Sequence, residues 1–129
     1  MDYKDAKHYF LSMPQTIEDY PFGPDVAVFK IKQKMFATLS RRNAIAQINL
    51  KCEPYRAAAL RDVYEAVLPA YHMNKLHWNT IILDNSIPDD EIRRMVNHSY
   101  ALVVKGLKKI EKQALILAYG EQRIFRSEQ

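Results

Sequence analysis

A chain of 129 residues suits a single domain, and at that size it buries about two-thirds of the surface its unfolded form exposes, so no metal or disulfide staple is required. Cys52 is the only cysteine, which excludes an internal disulfide, and Met1-Asp2-Tyr3-Lys4-Asp5 lacks the basic and apolar regions of a signal peptide, so a cytoplasmic location is expected. The longest apolar run, residues 114–119, is far shorter than the ~20 residues that span a bilayer, which excludes an integral membrane protein.

Asp2 is placed to cap a first helix whose apolar positions Tyr3, Ala6, Tyr9, Phe10 and Met13 recur at helical spacing until Pro14 stops it. Residues 14–25 hold prolines at 14, 21 and 24 and the acidic pair Glu18-Asp19, and read as an ordered loop pinned by Tyr20 and Phe22. Three β-like runs follow, residues 26–31, 35–39 and 45–50, and their short polar links make them antiparallel neighbours. Ala27, Phe29 and Ile31 alternate with Val28 and Lys30. Likewise Ala46, Ile48 and Leu50 alternate with Gln47, Asn49 and Lys51. One apolar and one mixed face is the pattern of a sheet covered by helices on one side only.

Glu53-Pro54 opens a second helix with Leu60, Val63 and Val67 on its stripe and Pro69 at its close. A β-like run occupies residues 80–83. Ser86-Ile87-Pro88-Asp89-Asp90-Glu91 then signals a third helix, with Ser86 as cap and three acids at the positive end of its dipole. Its stripe runs from Ile92 through Ser99 to Ile110, and a continuation to Tyr119 with Gly120 as terminator remains open. The expected fold is α+β, an antiparallel sheet of about five strands with helices on one face. Residues 108–129 are expected as a helical extension that packs on the body or on a second copy in a homodimer.

With only Gly23, Gly106 and Gly120, no phosphate-binding glycine loop or Gly-x-Ser-x-Gly turn exists. His72 and His77 lack a close carboxylate or second cysteine to complete a tetrahedral set, so no metal or other cofactor is expected. Cys52 ends an apolar strand, where a buried, inert thiol is the ordinary finding. The +4 net charge is uneven: residues 26–56 hold seven bases against one acid, and residues 1–25 hold two against five. A basic strand region suits polyanion binding, although lysines and arginines also decorate ordinary solvent faces.

The densest stretch is Tyr71-His72-Met73-Asn74-Lys75-Leu76-His77-Trp78-Asn79-Thr80. Lys75, His72, Asn74 and His77 can form a phosphate-facing cluster, with Trp78 as a stacking platform; alternatively Trp78 and Met73 fill core while His72 and Asn74 satisfy the turn. This stretch resembles the signature of the MmcQ/YjbR family. So do Glu18-Asp19-Tyr20-Pro21-Phe22-Gly23-Pro24-Asp25, Lys34-Met35-Phe36-Ala37, Asn49-Leu50-Lys51-Cys52 and Ser99-Tyr100-Ala101-Leu102-Val103-Val104, in family order over residues 1–107. The resemblance implies a bacterial protein with a frataxin-like (CyaY-like) fold and a double-wing DNA-binding arrangement. Iron binding is not carried over, because Asp2 and Asp5 are interleaved with Lys4, Lys7 and His8.

Two functions are therefore expected as alternatives. The first is a non-enzymatic DNA-binding protein using Lys30, Lys32, Lys34, Arg41, Arg42 and Lys75. The second is a small-molecule or anion-binding cleft of Asp19, Tyr20, His72, Asn74, Lys75 and His77 around Trp78.

Overall fold

The computed structural model describes residues 1–126. Its strands are β1 (Ile17–Asp19), β2 (Ala27–Ile31), β3 (Lys34–Arg42), β4 (Ile45–Lys51), β5 (Val67–Pro69) and β6 (Trp78–Ile82). Its helices are α1 (Tyr3–Leu11), α2 (Pro54–Val63), α3 (Asp89–Lys105), α4 (Lys109–Tyr119) and α5 (Glu121–Ile124). The strands form one sheet in the order β1-β2-β3-β4-β6-β5, and every neighbouring pair is antiparallel.

Two-residue turns set the central pairing. Lys32 and Gln33 link β2 to β3, and Asn43 and Ala44 link β3 to β4, with φ of 50°, 70°, 53° and 67°. Positive φ at both central residues gives the turn a twist that matches antiparallel strands. Because the strands run right up to these turns, β3 takes in Lys34, Ser40, Arg41 and Arg42, all expected as connector.

The register slips between Phe29 and Lys30: Phe29 faces Ala37 and Lys30 faces Met35, which leaves Phe36 as the extra residue of a bulge. Phe36 and Ala37 are both fully buried. Cross-strand pairing gathers Ala27, Phe29, Leu39, Ile48, Leu50 and Ile81 on the face covered by α1 and α3. Phe10 of α1 lies 4.9 Å from Phe29, and Tyr100 of α3 meets Phe36 edge-on at 5.3 Å, so aromatic contacts seal the helices to the bulge.

The sheet has one strand more than expected, and both edge strands were misread. β1 lies in the segment expected as loop, where three residues are too few to show a period. β5 takes Val67 and Pro69 from the expected second helix, which ends at Val63; an edge position tolerates a proline that cannot donate to a ladder. Asp2 caps α1 as expected, in a reciprocal capping box with Asp5. Ser86 does not cap α3: its N–H and hydroxyl both donate to Asp84, and Pro88 takes the cap position.

The third helix stops at Gly106, and α4 is separate, ended by Gly120 at φ 86°. Leu115 is buried in the core, as are Ile124 and Phe125 after it, whereas Ile110 and Leu117 stay exposed. The remainder of the expected extension, residues 127–129, lies outside the described residues. Among the described residues, no helix is long and apolar enough to cross a membrane.

Candidate functional site

Antiparallel pairing assigns each candidate residue to one end of the sheet. β2 and β4 end at the same edge where β3 and β6 begin. Lys32 and Lys34 of the first turn, Lys51 at the end of β4, and the link 70–77 carrying His72, Asn74, Lys75 and His77 therefore share that edge. Glu111 lines a hollow there with Thr16, Ile17, Lys32 and Gln33, which places the first turns of α4 beside them. Lys108, Lys109 and Lys112 belong to those turns, and the sequence had not marked them as part of a site.

Arg41 and Arg42 lie elsewhere, at the far end of β3, seven residues from Lys34 and roughly 23 Å away at about 3.3 Å per residue. The Arg41 guanidinium sits 3.7 Å from the centre of the Tyr3 ring, in a hollow also lined by Asp2 and Asp84. The basic segment 26–56 is thus split between two ends, because hairpins send its successive bases in opposite directions.

Lys30 is engaged as well. Its ammonium lies 2.8 Å from the Asp19 carboxylate and, with the Tyr20 N–H, holds that carboxyl below its ordinary range. Tyr20 donates its hydroxyl proton to Glu18, which also pairs with Lys7 at 3.1 Å. Burial pushes the Glu18 carboxyl up, but these hydrogen bonds and the Lys7 charge outweigh it and leave it low. Asp19 and Tyr20 therefore tie β1 to β2 and α1. They stand four strands from Trp78, ~19 Å at about 4.8 Å per strand, so they share no cleft with it.

In the link before β6, Asn74 Oδ1 accepts the Leu76 N–H at 3.0 Å, and the Asn74 carbonyl accepts the His77 N–H at 3.1 Å. The Cys52 N–H donates to the His77 carbonyl at 2.8 Å, which fastens the link to the end of β4. His72 is exposed, and the Lys75 ammonium lies 5.1 Å from the centre of the Tyr71 ring. Asn74 is thereby committed to the turn, while Lys75 keeps its charge on the surface.

Trp78 is not a core residue. Its register opposite Lys51 sets it on the sheet face away from the helices, and it is half-buried there. Along the same face Asn49 Nδ2 donates to Thr38 Oγ1 at 2.9 Å, and the Thr80 hydroxyl donates to Asn49 Oδ1 at 2.5 Å. This polar row crosses β3, β4 and β6, flanked by Ser40 and Gln47. Its signal was present in the alternation that set Gln47, Asn49 and Lys51 opposite the apolar positions.

Behind the sheet, Cys52 is 5% exposed and burial pushes its thiol up to about 11, which leaves it neutral and unreactive. The crevice it lines with Arg56, Asn79 and His98 has room of only about 10 Å³, no more than one water needs. Among the described residues, no three His, Cys, Asp or Glu side chains converge as a metal-ligand set.

His98 is largely buried, its Nε2 has no hydrogen-bond partner, and Glu53 Oε1 is 3.8 Å away. Burial first, then the charges of Arg56 and Lys105, hold its pKa below 6.5, against the opposing pull of Glu53. The unfolded chain therefore takes up this proton at a higher pH than the folded one, and stability falls as pH drops below about 6.5 toward the folded value. Replacing His98 with asparagine should flatten the dependence of the melting midpoint on pH in that window; an unchanged slope would mean that another group controls it.

A model of the YjbR family matches residues 11–102. The chain is 36% identical over 108 residues to the uncharacterized protein YbdF of Escherichia coli, covering 84% of this chain and 88% of that one. It is 33% identical over 87 residues to the uncharacterized protein YjbR of the same species, covering 67% and 74%. The crystal structure of a Deinococcus radiodurans protein matches with a TM-score of 0.82 at 31% identity, over 89% of this chain and 88% of that one. A Pseudomonas syringae protein matches with a TM-score of 0.70 at 29% identity, over 79% and 98%. Agreement in both sequence and sheet architecture over most of the chain establishes that this protein belongs to the YjbR family.

Proposed function

We propose that this protein is a non-enzymatic DNA-binding protein that holds phosphates against the basic edge of its sheet. The observation that carries this reading is the placement of Lys32, Lys34, Lys51 and Lys75 at one end of the sheet, beside the start of α4 with Lys108, Lys109 and Lys112. At the opposite end the charges are matched: Asp89 pairs with the N-terminal ammonium, Asp90 with Arg93 and Glu91 with Arg94, and Arg41 shares a hollow with Asp2 and Asp84. A set of cations at one end attracts a polyanion and drives binding through release of condensed counterions. Affinity should be weak and salt-sensitive, with non-specific dissociation constants around 10⁻⁴–10⁻⁶ M at physiological salt.

The alternative, a small-ligand cleft around residues 71–78, has less support. Asp19 and Tyr20 stand at the other side of the sheet, and the crevice behind Asn79 has room of about 10 Å³. Fluorescence anisotropy of labelled duplex and single-stranded DNA across a salt series tests the proposal. Binding at low salt that weakens linearly on log–log axes is expected, and no binding to either form at low salt would defeat it.

A further inference from the structure

The basic edge accounts for phosphate contacts but leaves unexplained the sheet face that carries no helix. Val28 and Thr38 are only 1% and 4% exposed there, whereas Asn49, Trp78 and Thr80 are partly exposed. Lys30 is paired with Asp19 on this face, Lys51 adds a cation beside Trp78, and Arg42 adds another at the far end of β3. An aromatic ring, a neutral row of hydroxyl and amide groups and a cationic rim are thus joined in one continuous surface.

We infer that this face binds single-stranded nucleic acid, with Trp78 as the stacking platform for a base and Asn49 and Thr80 beside it as hydrogen-bonding partners for exposed base edges. The inference rests on the nucleic-acid reading above and names the form of nucleic acid. A duplex hides its base faces and leaves a stacking ring and an amide-hydroxyl row without partners. A single strand turns its bases toward the sheet while its phosphates run along the basic edge.

The row keeps unused capacity. Asn49 donates one amide hydrogen to the buried Thr38 and accepts from Thr80, which leaves its second amide hydrogen and a Thr80 oxygen lone pair for a base. Stacking tolerates any base, so this arrangement favours single strands without a strict sequence requirement.

Trp78 is the only tryptophan, so its emission reports on its own surroundings. The experiment titrates the native protein with oligothymidylate, with an abasic oligonucleotide of equal length and with a duplex, following tryptophan emission and anisotropy together. Quenching by oligothymidylate alone is expected, with anisotropy rising for all three. Trp78→Ala should weaken oligothymidylate binding by about fivefold to a hundredfold and leave the abasic strand unaffected, while Trp78→Phe should recover most of the loss. Equal affinity for the oligothymidylate and abasic strands without quenching would overturn the stacking role and leave phosphate binding at the edge standing. Binding of duplex alone would also overturn it, and no binding of any probe would overturn the DNA-binding reading as well.

Discussion

Replacing Ser99 with alanine is expected to destabilise the fold by about 2–6 kcal/mol, because one hydroxyl satisfies two backbone groups at the bulge. Ser99 is fully buried on α3; its Oγ accepts the Lys51 N–H at 2.9 Å and donates to the Phe36 carbonyl at 2.6 Å. In a regular ladder those groups would satisfy each other, since Ala37 pairs with Leu50 immediately before them. The extra residue Phe36 breaks that match, and the helix hydroxyl bridges the gap. Removal of the hydroxyl leaves both groups in a dry interior, each at a cost of about 1–3 kcal/mol. For a domain of this size the melting midpoint should fall by roughly 10 °C. A shift of only a degree or two would mean that the strands close the gap without the serine.

The second large effect is electrostatic. Replacing Lys32 with asparagine and Lys34 with glutamine should flatten the log–log salt slope of DNA binding by up to ~1.8 units, at about 0.9 per lost phosphate contact. Asparagine suits position 32 because φ there is 50°, a region that asparagine tolerates better than alanine. Arg41→Ala with Arg42→Ala removes the same formal charge from the opposite edge and should leave the slope unchanged. Anisotropy measured for both pairs decides between them: equal flattening would place the contact surface over the whole basic segment.

The sheet interior was legible because alternation of apolar and polar residues survives in strands of five or more residues with one covered face. The edges were not. β1 and β5 have three residues each, too few for a period, and Pro69 is a helix terminator as readily as an edge residue. Both short links were expected, but their two-residue length was not, because Lys32-Gln33 and Asn43-Ala44 adopt positive φ without glycine.

The candidate site was half legible. The stretch ending in Trp78 was identified from its density of functional groups, yet the division of Lys30, Lys34 and Arg42 among different ends and partners depends on hairpin geometry that composition does not encode. Ser99 sat in an apolar helical stripe, where a lone hydroxyl signals a buried polar contact without naming its partner.

The most direct measurement is a map of amide chemical-shift changes on the native protein as a DNA oligonucleotide is added at low salt. Changes are expected to concentrate at Lys32, Gln33, Lys34, Lys51 and the link from His72 to Trp78, with the turn at Asn43 and Ala44 silent. Changes centred on Arg41, Arg42 and that turn, or on the outer side of α1 and α3, would contradict binding at the basic edge.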